Sequence, residues 1–215
     1  MVSIQENDKH ICGGSILSKN RILTAAECVY GKELTTLNVK YGFRVGIEPK
    51  IAEIDKIARS NCLLKYYDIA VLKLKTNMTD EENGEKIIRE VSIEEHNDDE
   101  ARVFGWGKQQ DISESNLETA DVTLENSLLT STCFLYLSIH HTLVAPYASL
   151  NPDTVICGAS NAEGICNTDV GGPAMTDNYL SAVAVSGSDF CGGRAVYIAP
   201  YNHYLENFVK TALLD

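Results

Sequence analysis

The chain has 215 residues, 44% hydrophobic and 22% charged, the proportions of a soluble globular protein long enough to bury a core. Its formal net charge of −12 argues against nucleic acid, heparin or an anionic membrane as the main partner, since all three attract basic patches. No stretch approaches about eighteen uninterrupted apolar residues, so no membrane span is expected, and the polar opening "SIQENDKH" lacks the basic-then-apolar character of a secretory leader.

In chain order, most of the sequence reads as short strands rich in Val, Ile, Leu and aromatic residues. They are "SILSKNRILTAA" (15–26), "LNVKYGFRV" (37–45), "IAVLKL" (69–74), "ARVFGWG" (101–107), "ADVTLEN" (120–126), "LSAVAVSGS" (180–188) and "RAVYIAP" (194–200). Gly, Pro, Asp and Asn punctuate them at intervals typical of all-β barrels and sandwiches. The acidic runs "DEENGE" (80–85) and "EEHNDDE" (94–100) read as solvated loops. A candidate helix lies within "LLTSTCFLYLSI" (128–139). The end of the chain is different: Tyr201, Tyr204, Leu205, Phe208 and Val209 fall at i, i+3, i+4, i+7 and i+8, one apolar helix face to pack on the body.

Seven cysteines stand at 12, 28, 62, 133, 157, 166 and 191 with no Cys-x-x-Cys pair, which argues against zinc. Three bridges and one leftover thiol fit better, and they place the protein in an oxidising compartment. Asn77 opens "NMT", a glycosylation acceptor pattern consistent with secretion. Adjacent His140 and His141 read as surface residues, because chain neighbours rarely converge on one ion.

Five motifs, "CGGSIL…ILTAAEC", "YYDIAVLKL", "VFGWG", "CNTDVGGP" and "AVYIAPYNHYLENFV", occur in the order of the chymotrypsin-like (trypsin-type) serine proteases, and the chain resembles that family over nearly its whole length. The resemblance implies an all-β fold, a double six-stranded antiparallel β-barrel with a C-terminal α-helix. It implies one domain, 1–215, with halves near 1–105 and 106–200 and the helix at 201–214. It also implies the bridges Cys12–Cys28, Cys133–Cys157 and Cys166–Cys191. Cys62 is then left over, as a free thiol or an intermolecular pair.

Proteases of this family need a serine nucleophile, a histidine to take its proton and a buried aspartate to orient the histidine. The aspartate position is Asp68. The histidine position is Glu27 and the serine position is Val170, which has no lone pair to attack a carbonyl. Losing serine or histidine alone costs about a millionfold in turnover. The oxyanion-hole glycine is Thr168, whose β-branch restricts the backbone. The specificity slot has Gly164 at its base, Ser186, Gly187 and Ser188 along one wall, and Ala195 where a glycine keeps the slot open. The chain carries only eleven residues before Cys12, so the family's freed N-terminus, the partner of the carboxylate at Asp169, is expected to be missing. Asp169 then needs other partners or a raised pKa.

No catalysis, cofactor or metal is expected. Within the family, the motifs with degenerate triad positions resemble the scabies mite inactivated protease paralogues, relatives of the group 3 mite allergen proteases. That likeness implies a secreted, extracellular pseudoprotease that binds host proteins, complement components among them, through surface exosites. Two alternatives stay open. One is a decoy that binds protease substrates or inhibitors in the altered cleft. The other is a residual hydrolase in which Glu27 and Asp68 share a proton.

Overall fold

A run of strands with few long connections leaves the backbone one economical way to satisfy its polar groups, which is to pair sequential neighbours and then close the sheet. The computed structural model describes residues 1–44, 46–60, 69–95, 100–108, 112, 117–125, 154–160, 165–187, 191 and 194–214. It is built as two six-stranded antiparallel β-barrels with a C-terminal helix. The first barrel comprises β1 (Val2–Glu6), β2 (Lys9–Ser18), β3 (Arg21–Ala25), β4 (Leu37–Tyr41), β5 (Lys50–Arg59) and β6 (Ile69–Leu74), closed in the order β1-β2-β3-β6-β5-β4.

Next come a short hairpin, β7 (Glu81–Glu82) and β8 (Glu85–Lys86), and the two-residue strand β9 (Ser92–Ile93). The second barrel uses β10 (Glu100–Gly105), β11 (Glu118–Glu125), β12 (Val155–Ala159), β13 (Pro173–Thr176), β14 (Tyr179–Ser186) and β15 (Arg194–Ile198). Its order is β13-β10-β11-β12-β15-β14, closed by pairing β14 back to β13, and β9 adds to β14 in parallel.

Side-chain alternation explains why the strands of the second half read as continuous apolar runs. In β15, Ala195 and Tyr197 face the second barrel's core, while Val196 and Ile198 face a core shared with the first barrel. β14 divides likewise, with Ala182 and Ala184 on one side and Val183 and Val185 on the other. A strand buried on both faces needs apolar residues at every position. The lumen of the second barrel is lined by alanines 101, 174, 182, 184 and 195, with Tyr197 as its bulky filler.

Several sequence expectations need adjustment. Residues 15–26 form not one strand but the arms of two, joined at Lys19–Asn20. The strand begun at 37 stops at Tyr41, where Gly42 turns the chain at φ +81°. β1 and β5 are strands that the sequence pattern does not announce. In β1 the signal is masked because Ser3 and Gln5 are buried, at 0% and 3% exposure, alongside Val2 and Ile4. The run 80–85 is not a plain loop: Asn83 and Gly84, at φ +52° and +79°, make the left-handed turn of the β7–β8 hairpin. Cations from the barrel pin it, with Lys19 on Asp80 at 2.7 Å, Lys50 on Glu82, and Arg44 on Glu85 at 3.3 Å. The candidate helix at 128–139, His140 and His141 lie outside the described residues.

The expected C-terminal helix is α1 (His203–Leu214). Leu205 and Val209 are buried in the shared core, Ala212 joins them a turn later, and Phe208 packs partly against it. Tyr201 precedes the helix and lies against the second core, and the Tyr204 side chain is outside the described set. Arg21 of β3 is 5% exposed and donates its Nε–H to the Ala212 carbonyl at 3.0 Å. That carbonyl is one of the last in the helix and has no partner within it, so a cation there satisfies both the hydrogen bond and the helix dipole.

Candidate functional site

The elbow is built where the two barrels meet. After Ile165, a short 3-10 turn spans Asn167–Asp169, and Val170 follows with φ −52° and ψ 141°. The chain then runs through Gly171 and Gly172 into β13. Gly171 holds φ +84°, and a Cβ there would lie 2.2 Å from Thr24 Oγ1 and 2.5 Å from the Gly13 carbonyl oxygen, so only glycine fits. The backbone is stitched to both halves: Gly13 N–H donates to the Val170 carbonyl at 2.8 Å, and Gly171 N–H to the Ala184 carbonyl at 2.7 Å. The Thr24 hydroxyl donates to the Gly13 carbonyl at 2.8 Å, fixing β2 against β3 below the elbow.

Val170 itself is 3% exposed and belongs to the shared core. It therefore presents a packed isopropyl group at the apex of the turn. Glu27 lies across from this region on a 3-10 turn, Ala26–Cys28, and is exposed. The Cys12–Cys28 disulfide joins that turn to β2, beside the Gly13 N–H that holds Val170. The structure thus places Glu27 and Val170 at one edge of the interface between the barrels. Asp68 lies outside the described residues.

Asp169 is almost wholly buried, at 4% exposure. Its Oδ1 accepts the Trp106 and Gly107 N–H groups at 2.7 and 3.0 Å, and its Oδ2 accepts the Cys166 N–H at 3.0 Å. Burial raises its pKa, the three N–H groups act in the opposite direction, and the nearby Glu118 carboxylate adds to the rise. Among the described residues no cation pairs with it. Three backbone N–H donors hold the carboxylate in the turn.

Sequence reasoning misses His10, two residues before Cys12, which in the sequence is one more member of a polar opening. It is 2% exposed, its Nδ1 lies 2.8 Å from Ser3 Oγ, and its ring meets Trp106 edge-on at 5.1 Å. Its Nε2 is buried without a well-formed hydrogen bond. Burial pushes the imidazole down to about 4, against a pull from the Thr168 backbone. This is a neutral packing histidine beneath the elbow, and its only signal in the sequence is its closeness to the Cys-Gly-Gly motif.

Thr168 is half-buried, and its hydroxyl donates to the Gly107 carbonyl, tying the turn to the end of β10. Gly187 packs closely on the backbone of the Cys166–Asn167 segment. A Cβ on Gly187 would sit 2.3 Å from the Cys166 carbonyl oxygen and 2.9 Å from Asn167 N, so these two backbone segments lie in contact and no side chain fits at 187. Ile165 and Ala195 are buried behind them in the same cluster as Tyr197, and Ser186 is buried at the end of β14. Gly164 and Ser188 lie outside the described residues.

Cys166 is bonded to Cys191, whose φ of +56° turns the chain toward β15. Cys157 is also disulfide-bonded; Cys133 and Cys62 lie outside the described set. Asn77 is exposed on the segment after β6. Among the described residues no cluster of His, Cys, Asp and Glu could hold a metal ion.

Three comparisons agree with this architecture. The family model for Trypsin matches residues 1–206. Trypsin alpha of Drosophila melanogaster is 27% identical over 217 aligned positions, covering 99% of this chain and 78% of its own length. Trypsin delta of Drosophila erecta is 27% identical over 189, covering 85% of this chain and 70% of its own length. Among solved structures, scabies mite inactivated protease paralogue S-D1 superposes with a TM-score of 0.71 at 22% identity, covering 98% of this chain and 90% of that one. Neuropsin, a serine protease expressed in the limbic system of mouse brain, superposes at 0.69 and 19% identity, covering 97% and 93%. With the family model spanning nearly its whole length and both barrels in place, the chain belongs to the Trypsin family.

Proposed function

We propose that this protein is a secreted, catalytically silent member of the family that acts as a binding protein. The observation that carries the reading is Val170, an apolar side chain buried at the apex of an otherwise intact elbow. Acyl transfer requires a nucleophile at that point and a base beside it; valine offers no lone pair, and the exposed Glu27 has no hydroxyl there to deprotonate. The fold likeness to a mite paralogue described as inactivated supports the same reading. The Cys12–Cys28 and Cys166–Cys191 disulfides support an extracellular setting, which is where trypsin-like proteins typically work.

Binding through surface loops accounts for the structure better than binding in the cleft. Gly187 lying against the Cys166 backbone supports a narrowed space for a substrate side chain. We assign the binding partners to host defence proteins, complement components first, met at surfaces outside the cleft. Adding the purified protein to host serum and measuring complement-driven lysis tests this directly. The expected result is dose-dependent inhibition that small-molecule inhibitors of serine proteases do not relieve. Unchanged lysis at high dose would remove complement from the proposal, and relief by those inhibitors would return the interaction to the cleft.

A further inference from the structure

We propose that Asn77 carries an N-linked glycan, placed at the pole of the first barrel opposite the degenerate elbow. The chain contains a single Asn-x-Ser/Thr triplet, Asn77-Met78-Thr79. It follows directly after β6, where Met78 is 2% exposed while Asn77 and Thr79 on either side of it are exposed. The segment is pinned at two further points: Met78 N–H donates to the Lys19 carbonyl at 2.7 Å, and Thr79 N–H to the Tyr41 hydroxyl at 3.1 Å. The buried methionine anchors the loop, and the two side chains that a glycosyl transferase must read stand in solvent.

The inference rests on the secreted reading, since the donor, a lipid-diphosphate-linked oligosaccharide, is met in the secretory pathway. In the transfer, the Asn77 amide nitrogen attacks the anomeric carbon of the donor sugar and a C–N bond forms. The bond from that carbon to the phosphate oxygen breaks, the lipid diphosphate leaves with its electron pair, and one amide proton passes to a base of the transferase.

Strand register fixes the position of the glycan. β3 and β6 pair from Ala25 with Ile69 at one end to Arg21 with Lys73 at the other. Glu27 follows Ala25 and Asn77 follows Lys73, so the two lie beyond opposite ends of a ladder about 13 Å long. A glycan at Asn77 covers the pole formed by the Lys19–Asn20 turn and leaves the edge bearing Glu27 and Val170 open. It therefore restricts where a partner protein can dock without blocking the elbow side.

The test is to secrete the full chain from eukaryotic cells behind a leader and to measure the mass of the peptide containing Asn77 before and after an N-glycan amidase. The expected result is one glycan, lost on treatment with conversion of Asn77 to aspartate. Thr79→Ser should keep it, and Asn77→Gln and Thr79→Ala should lose it. An unmodified Asn77 in the secreted protein overturns the proposal, and because that measurement uses the unsubstituted chain it stands even where a variant fails to fold. The leader fixes passage through the pathway, so a bare Asn77 leaves the secreted reading intact. Free thiols at Cys12 and Cys28 in protein taken from its natural source would overturn that reading instead.

Discussion

The carbonyl of Val170 accepts the N–H of Gly13 at 2.8 Å, so the position that would display a nucleophile is hydrogen-bonded to the strand that starts the first barrel's long hairpin. This bond, with Gly171 N–H on Ala184, makes the elbow a joint between the two barrels. That structural role does not depend on a nucleophile at 170. Gly171 and Gly172 make close backbone contacts around Val170, and the Asp169 carboxylate is held by three backbone N–H groups.

Replacing Val170 with serine should cost stability and restore nothing. Burying a valine contributes about 1.5–3 kcal/mol relative to exposure, and a hydroxyl in its place loses much of that. We expect Val170→Ser to destabilise by about 1–2 kcal/mol in chemical denaturation. The double variant Glu27→His with Val170→Ser should still show no ester hydrolysis above background, because Thr168 and the packed Gly187–Cys166 contact remain. Substantial activity from that pair would mean the rest of the site is competent.

Gly171→Ala should be among the most damaging single-methyl changes in the chain. It combines a left-handed backbone with a Cβ only 2.2 Å from Thr24 Oγ1. The expected loss is about 3 kcal/mol, read as a shift in denaturation midpoint. Thr24→Ser keeps the hydroxyl and should not relieve the loss. A Gly171→Ala variant as stable as the parent would contradict the joint described above.

These cases separate what the sequence could show from what it could not. The elbow was legible because Cys166, Asp169, Gly171, Gly172 and Pro173 occur in one short run, and each residue type has a local backbone reason to be there. β14 and β15 were legible from Val and Ala at successive positions. β1 was not, because its inward Ser3 is satisfied by His10, a contact between residues seven apart that no periodicity reveals. The packing around Gly187 was only half legible. Ala195 suggested narrowing, but the contact between Gly187 and Cys166 joins segments that are distant in sequence, and only the folded chain brings them together.

Arg21 should hold the end of α1. It is buried, and its Nε donates to the Ala212 carbonyl. Arg21→Met keeps most of the volume but leaves that carbonyl unpartnered, at a cost of about 1–3 kcal/mol. Amide exchange should speed up in the last turn of α1 more than in β10 or β11. Uniform acceleration across both barrels would mean the arginine acts on the whole fold and not on the helix end.

The His10 imidazole gives stability a defined acid limb. Its pKa is held near 4 in the folded chain by burial, below the value of about 6.5 it has when unfolded. Between these values the unfolded chain binds more protons, so stability falls as pH drops, with a slope of up to about 1.4 kcal/mol per pH unit. Asp169 has the opposite sign: its raised pKa means the folded chain holds a proton longer, so its contribution weakens as pH rises above the ordinary carboxylate range. Removing the imidazole with Ser3→Ala and His10→Phe should flatten the limb between pH 6 and 4 and leave the Asp169 limb in place. An unchanged acid limb in the double variant would show that His10 is not its source.

With Val170 at its elbow, this trypsin fold should have no hydrolytic activity. The most direct measurement is a panel of chromogenic esters and peptides incubated with the purified protein, with Glu27→Gln run beside it. Rates should equal buffer for every substrate, with no difference between the two proteins. Turnover of any substrate that Glu27→Gln abolishes would contradict that expectation.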